Sequence, residues 1–141
     1  MKMQNSTSRN RGDARRGAAA VEFGLAFIVF FTFIFTVMEF GWIIYSYNVL
    51  SGATREATRY ATVHGSASGS VATASDIQDV VRKWAIGLDT NSVAVTTTWT
   101  PGNGPGSKVR VQSQYTAQPF TKLILRNGVT LKSSSELTIS Q

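Results

Sequence analysis

Phe23-Gly24-Leu25-Ala26-Phe27-Ile28-Val29-Phe30-Phe31-Thr32-Phe33-Ile34-Phe35-Thr36-Val37-Met38 is a run of 16 residues without a charge. At about 1.5 Å of rise per residue it extends roughly 24 Å as a helix, slightly short of a bilayer core of about 30 Å. Glu39 interrupts the run, after which Phe40-Gly41-Trp42-Ile43-Ile44-Tyr45 is uncharged again, so the flanks complete a single membrane span. A buried helix of a soluble protein is the competing reading. It fails because the run is apolar all round and the rest of a 141-residue chain is too small to cover it. A secretory signal peptide also begins with a basic region and an apolar one. Here the apolar stretch is too long, and no small-x-small cleavage pattern follows it.

The formal charge of +6 is concentrated ahead of this span. Residues 1–17 carry Lys2, Arg9, Arg11, Arg15 and Arg16 against Asp13, a net of +4, and +2 remains for everything after. Basic residues beside one end of a span mark the cytoplasmic side, so the N-terminus is expected inside and the C-terminal part outside the cytoplasm. Trp42, Tyr45 and Tyr47 then fit the outer membrane interface as an aromatic belt. The chain has no cysteine, which removes disulfides and thiolate metal sites from consideration.

The helix is expected to continue beyond the membrane to about Val63, because Ala53, Ala57 and Ala61 recur at helical spacing and no proline intervenes. A helix from Ala18 to Val63 would be roughly 69 Å long at about 1.5 Å per residue, so its outer half needs something to pack on. Small residues on that stripe permit close approach. Glu56 and Arg59 are spaced to pair on its exposed side. His64-Gly65-Ser66-Ala67-Ser68-Gly69-Ser70 ends it, and His64 reads as a solvated loop residue.

Downstream, Ser75-Asp76-Ile77-Gln78 resembles a capping box opening a short helix that runs to about Ile86, with Ile77, Val80, Val81 and Trp84 as its apolar stripe. Val93 to Trp99 reads as a strand, broken by Pro101-Gly102-Asn103-Gly104-Pro105-Gly106. In the next strand Val109, Val111, Ser113 and Tyr115 alternate with Arg110, Gln112 and Gln114, giving one buried and one wet face. After the Asn127-Gly128 turn signal, Leu131 to Ile139 gives a third, with Leu137 and Ile139 facing in. Pro119 to Leu125 reads either as a short helix or as a loop docking Phe120 and Leu123. The expected fold is therefore α+β: a long N-terminal helix, membrane-spanning in its first half, packed in its second half on a small antiparallel sheet of about three strands. The corresponding divisions are a basic cytoplasmic leader over 1–17, a transmembrane helix over 18–47, and a small periplasmic α+β domain over 48–141.

Three segments resemble a known family. Arg15-Arg16-Gly17-Ala18-Ala19-Ala20-Val21-Glu22-Phe23, Glu39-Phe40-Gly41, and Ala53-Thr54-Arg55-Glu56-Ala57-Thr58-Arg59-Tyr60-Ala61 are similar to the TadE-like pseudopilins of the tight-adherence pilus system, within the type IV pilin-like proteins. The resemblance covers about residues 15–63; beyond them only the general α+β shape is shared. Ala18 stands where many ordinary type IV pilins have phenylalanine, so no expectation of N-terminal methylation is carried over. Thr54 and Thr58 stand where the TadE pattern has smaller residues.

The resemblance implies a leader cut by a prepilin peptidase between Gly17 and Ala18, leaving Glu22 as the fifth residue of the mature chain. The freed Ala18 amine and the Glu22 carboxylate of a neighbouring subunit would then pair, setting the register of one helix against the next. Arg15 and Arg16 supply leader charge that holds the precursor at the inner leaflet. Glu39 is the second candidate for assembly or helix register. Simple interfacial placement is the alternative for both carboxylates. Glu22 and Glu39 are 17 residues apart, roughly 25 Å along a helix at about 1.5 Å per residue, so each lies near an opposite membrane surface. They are about 260° apart around the helix and do not form one polar stripe.

An enzymatic reading finds no support in the residue inventory. His64 is the one histidine, there is no dense carboxylate cluster, and neither glycine-rich loop has the Gly-Lys-Ser/Thr ending of a phosphate loop. No catalytic residue, metal, cofactor or small-molecule substrate is expected. Lys108, Arg110 and Lys132 make too thin a basic patch for nucleic acid. The expected partners are the inner membrane, a prepilin peptidase, and other pilin-like subunits or the pilus assembly platform. The alternative is a membrane-anchored periplasmic binding or adhesion module without a polymeric role.

Overall fold

A computed structural model describes residues 7–121 and 127–140, with side chains from Arg15. The first element, α1, runs unbroken over Thr7–Val63 for 57 residues. It therefore begins inside the basic leader, earlier than the expected start at Ala18. The chain divides into two compact units between Met38 and Glu39.

In the first unit the helix is long and apolar enough to cross a membrane, and the side chains of its most apolar window are uncovered. Phe23, Phe27, Phe31 and Phe35 recur every four residues and form one ladder, with ring centroids 5.9, 4.3 and 6.2 Å apart. Thr32 and Thr36 donate their hydroxyls to the carbonyls of Ile28 and Thr32, at 2.8 and 2.7 Å. Polar atoms satisfied within the helix are what a segment without water around it requires.

The second unit takes in residues 39–47, which the sequence reading assigns to the span, and holds all remaining elements: α2 (Ala74–Trp84), a 3-10 turn (Thr90–Ser92), β1 (Ala94–Thr100), β2 (Lys108–Ala117) and β3 (Val129–Thr138). The three strands form an antiparallel sheet in the order β1-β2-β3. Leu50, Ala53, Ala57 and Ala61 of α1, Ile77 and Val81 of α2, and Val109, Val111 and Tyr115 of β2 join in one buried cluster. Thr54 and Thr58 share that buried helix face because their hydroxyls donate to the carbonyls of Leu50 and Thr54, each at 2.7 Å. This back-bonding explains how hydroxyls occupy positions where the family pattern has smaller, apolar residues.

β2 alternates as expected, with Val109, Val111, Ser113 and Tyr115 buried and Arg110, Gln112 and Gln114 exposed. In β3, Leu137 pairs opposite Val109 and so lies on the inner face, yet it is 45% exposed. Its strand is at the sheet edge, where the core thins; Ile139, just beyond β3, is buried. The capping box of α2 opens two residues earlier than expected. Thr73 caps, and its hydroxyl accepts from the Asp76 amide at 3.3 Å while the Thr73 amide donates to Asp76 Oδ2 at 2.9 Å. The Thr73 amide and, next, the Thr73 hydroxyl, which donates to the same Oδ2 at 2.7 Å, hold the Asp76 carboxyl below its ordinary range. α2 ends at Trp84, and Gly87 takes a left-handed conformation (φ 81°) just after it.

His64 is half-buried rather than solvated. Its Nδ1 lies 2.8 Å from the Tyr60 carbonyl, and its ring stacks on that of Tyr60 at 4.0 Å, satisfying the helix end from within the chain. Ser140 donates through both its amide and its hydroxyl to the Thr62 carbonyl, each at 3.0 Å, tying the end of the sheet to the end of α1. On the outer sheet face Arg110 and Glu136 are register partners. Arg110 Nε and Nη2 reach Glu136 Oε2 at 2.7 and 2.6 Å, and Lys108 reaches Oε1 at 3.3 Å. The Arg110 and Lys108 contacts lower the Glu136 carboxyl below its usual value. Most of the Pro119–Leu125 segment, including Leu123, lies outside the described residues.

Candidate processing and assembly site

Arg15, Arg16, Gly17, Ala18 and Glu22 all lie exposed on α1. The Gly17–Ala18 bond is thus part of regular helix. A Cβ built at Gly17 meets nothing within 4 Å, so no contact inside the chain requires glycine there. Glycine in a helix interior costs about 1 kcal/mol relative to alanine, chiefly in backbone entropy. Its use at this position weakens the helix locally, which favours opening of the bond to an extended conformation.

Glu22 takes part in no hydrogen bond or ion pair among the described residues. It projects from a helix whose following turns are phenylalanine-rich, a setting in which an unpaired carboxylate is disfavoured by a few kcal/mol. Ala18 and Glu22 are four residues apart and therefore share a helix face. A second helix displaced by about one turn, roughly 5.4 Å, brings the Ala18 position of one level with the Glu22 of the other.

Glu39 is placed differently. It is 2% exposed within the second unit, and its Oε2 accepts from the Thr121 hydroxyl at 3.2 Å. Its Oε1 is buried without a hydrogen-bond partner among the described residues. Trp42 and Tyr45 stack at 5.6 Å, Trp42 also meets the Phe120 ring at 5.4 Å, and the Tyr45 hydroxyl donates to the Ile86 carbonyl at 3.1 Å. Tyr47 is exposed. Trp42, Tyr45 and Glu39 are expected from sequence as interface or register residues, whereas Ile86 is expected only as the end of α2 and Thr121 in no role; both join them through long-range folding. The Glu39–Thr121 pair is separated by 82 positions, and no local pattern announces it.

Glu56 and Arg59 approach to 4.0 Å on the exposed side of α1, a weak pair. Among the described residues no group of three or more His, Cys, Asp or Glu is placed to hold a metal ion.

No curated protein and no solved structure matches the chain. A family model does, and it begins at the glycine that closes the basic leader. Residues 17–59, from that glycine through the span to the alanine-lined part of α1, match the family of TadE-like proteins.

Proposed function

We propose that the chain is a minor pilin-like subunit that acts in assembly of a tight-adherence pilus. It is anchored by a single pass in the bacterial inner membrane, with its N-terminus cytoplasmic and its C-terminal domain periplasmic. The observation that carries this reading is the TadE-like match over residues 17–59, which starts at the leader glycine and includes Glu22. The membrane-length apolar helix supports it.

In this reading a prepilin peptidase opens α1 at Gly17 and cuts before Ala18. The new amine is a cation at the inner membrane face, and Glu22 of a neighbouring subunit pairs with it. The pair offsets part of the desolvation of both charges and fixes one helix against the next. Since an uncut subunit lacks the amine, cleavage gates assembly. Gly17, Gly24, Gly41 and Gly52 of α1 have open space where a Cβ would stand, and a neighbouring helix can approach closely there.

Glu22→Ala tests the pairing. The variant is expected to be inserted and cut like the parent while failing to support piliation. Unchanged piliation removes the pairing role.

A further inference from the structure

The second unit carries an apolar surface that its core does not use. Phe120 and Ile86 are 70% and 69% exposed, although they come from loops far apart in the sequence. Both are gathered beside the first turns of the unit: Phe120 against the Trp42 ring at 5.4 Å, Ile86 through its carbonyl to the Tyr45 hydroxyl at 3.1 Å. Three separate chain segments thus present one aromatic and aliphatic cluster.

We propose that this cluster is a lipid-seating surface, through which Ile86 and Phe120 enter the outer interface of the bilayer at the level of Trp42 and Tyr45. The proposal rests on the reading of α1 as a membrane span. Three observations select lipid as the occupant. The uncharged run ends at Met38, immediately before the unit begins, so the chain leaves the apolar segment at this end of the unit. Residues 40–54 of α1 contain no charge, and the first is Arg55. Tryptophan and tyrosine, which form the centre of the cluster, prefer the headgroup level because an apolar ring carries a polar edge. From Trp42 to Tyr45 the helix rises only about 4.5 Å. That fits within an interfacial zone of roughly 5–8 Å on each side of the hydrocarbon core. The domain is consequently held against the membrane by two loops as well as by its helix, which restricts its tilt relative to the bilayer.

The chain has no cysteine, so single labels are clean. Ile86→Cys, Phe120→Cys, Phe30→Cys and Gln112→Cys variants of the full chain, each carrying an environment-sensitive fluorophore, are reconstituted in phosphatidylethanolamine/phosphatidylglycerol vesicles containing nitroxide lipids. Labels at 86 and 120 are expected to lose most of their emission to a headgroup-level nitroxide. The label at 30 should be quenched chiefly by a nitroxide deep in the acyl chain, and the label at 112, on the polar sheet face, by neither. If 86 and 120 behave like 112 while 30 is quenched deep, lipid seating is overturned and the span reading stands. If 30 is not quenched, the span reading fails and the proposal with it. A blue shift at 86 and 120 that grows with protein-to-lipid ratio, without nitroxide quenching, assigns the surface to a second copy and also overturns the proposal.

Discussion

Replacing Glu39 by methionine leaves the second unit as stable as before or more stable, although it removes a buried hydrogen bond. The bond from Thr121 is long, at 3.2 Å. A hydrogen bond to a charged group contributes about 1.5–3 kcal/mol, and this length places it at the low end. Against that loss stands Oε1, buried without a partner among the described residues. An unsatisfied buried acceptor costs about 1–3 kcal/mol, and more if charged. Methionine conserves volume, so the cavity penalty that would accompany alanine is avoided. The balance runs from about −0.5 to about +1.5 kcal/mol of added stability, so the change is between nearly neutral and modestly stabilising. For a domain of this size, about 1 kcal/mol corresponds to a shift of roughly 4–8 °C in melting temperature. Thermal unfolding of the full chain in detergent micelles, followed by near-ultraviolet circular dichroism, should show an unchanged or raised midpoint. A fall of several degrees would refute the reasoning and make the carboxylate a net stabiliser of its own domain. Retained stability with lost piliation is the result that fits an assembly role for Glu39.

Ile77→Ala should destabilise the second unit by about 2–5 kcal/mol, the range for deleting a fully buried aliphatic side chain; Ile77 is completely buried in the cluster joining α2 to α1 and the sheet, and a loss below ~1 kcal/mol in chemical denaturation would contradict that packing. Asp76 and Glu136 both have folded-state carboxyls lowered below their ordinary values. Their contribution is therefore complete above the unfolded carboxylate range of about pH 4 and is lost as pH falls through the lower folded values. Melting temperatures measured from pH 6 down to pH 2 should decline less steeply for a chain carrying Asp76→Asn and Glu136→Gln; an identical slope would mean that neither shift contributes.

Much of this architecture is legible from local pattern. The alternation from Val109 to Tyr115 gives the inner face of β2 because strand side chains alternate with a period of two. Ala53, Ala57 and Ala61 likewise announce the buried stripe of α1 through helical spacing. Features that depend on distant partners are not announced. The cap of α2 falls on Thr73 instead of Ser75, since either residue has a hydroxyl and the choice depends on where the preceding loop delivers the chain. Leu137 points inward by register yet stays half open, because burial at an edge strand is set by what lies across from it. Glu39 looks like an interfacial charge in sequence and is enclosed by a residue 82 positions away. For the candidate site, the basic N-terminal residues, Gly17 and Glu22 are readable because their spacing lies along one helix. Phe120 and Ile86 are not, since their joint surface exists only after folding.

A pilin-like subunit of the kind proposed is cut between Gly17 and Ala18. N-terminal sequencing of the membrane-extracted protein, from cells that contain the cognate prepilin peptidase, tests it directly. The expected mature chain begins Ala-Ala-Ala-Val-Glu from Ala18. An intact Met1, or a start beyond the span, would contradict it.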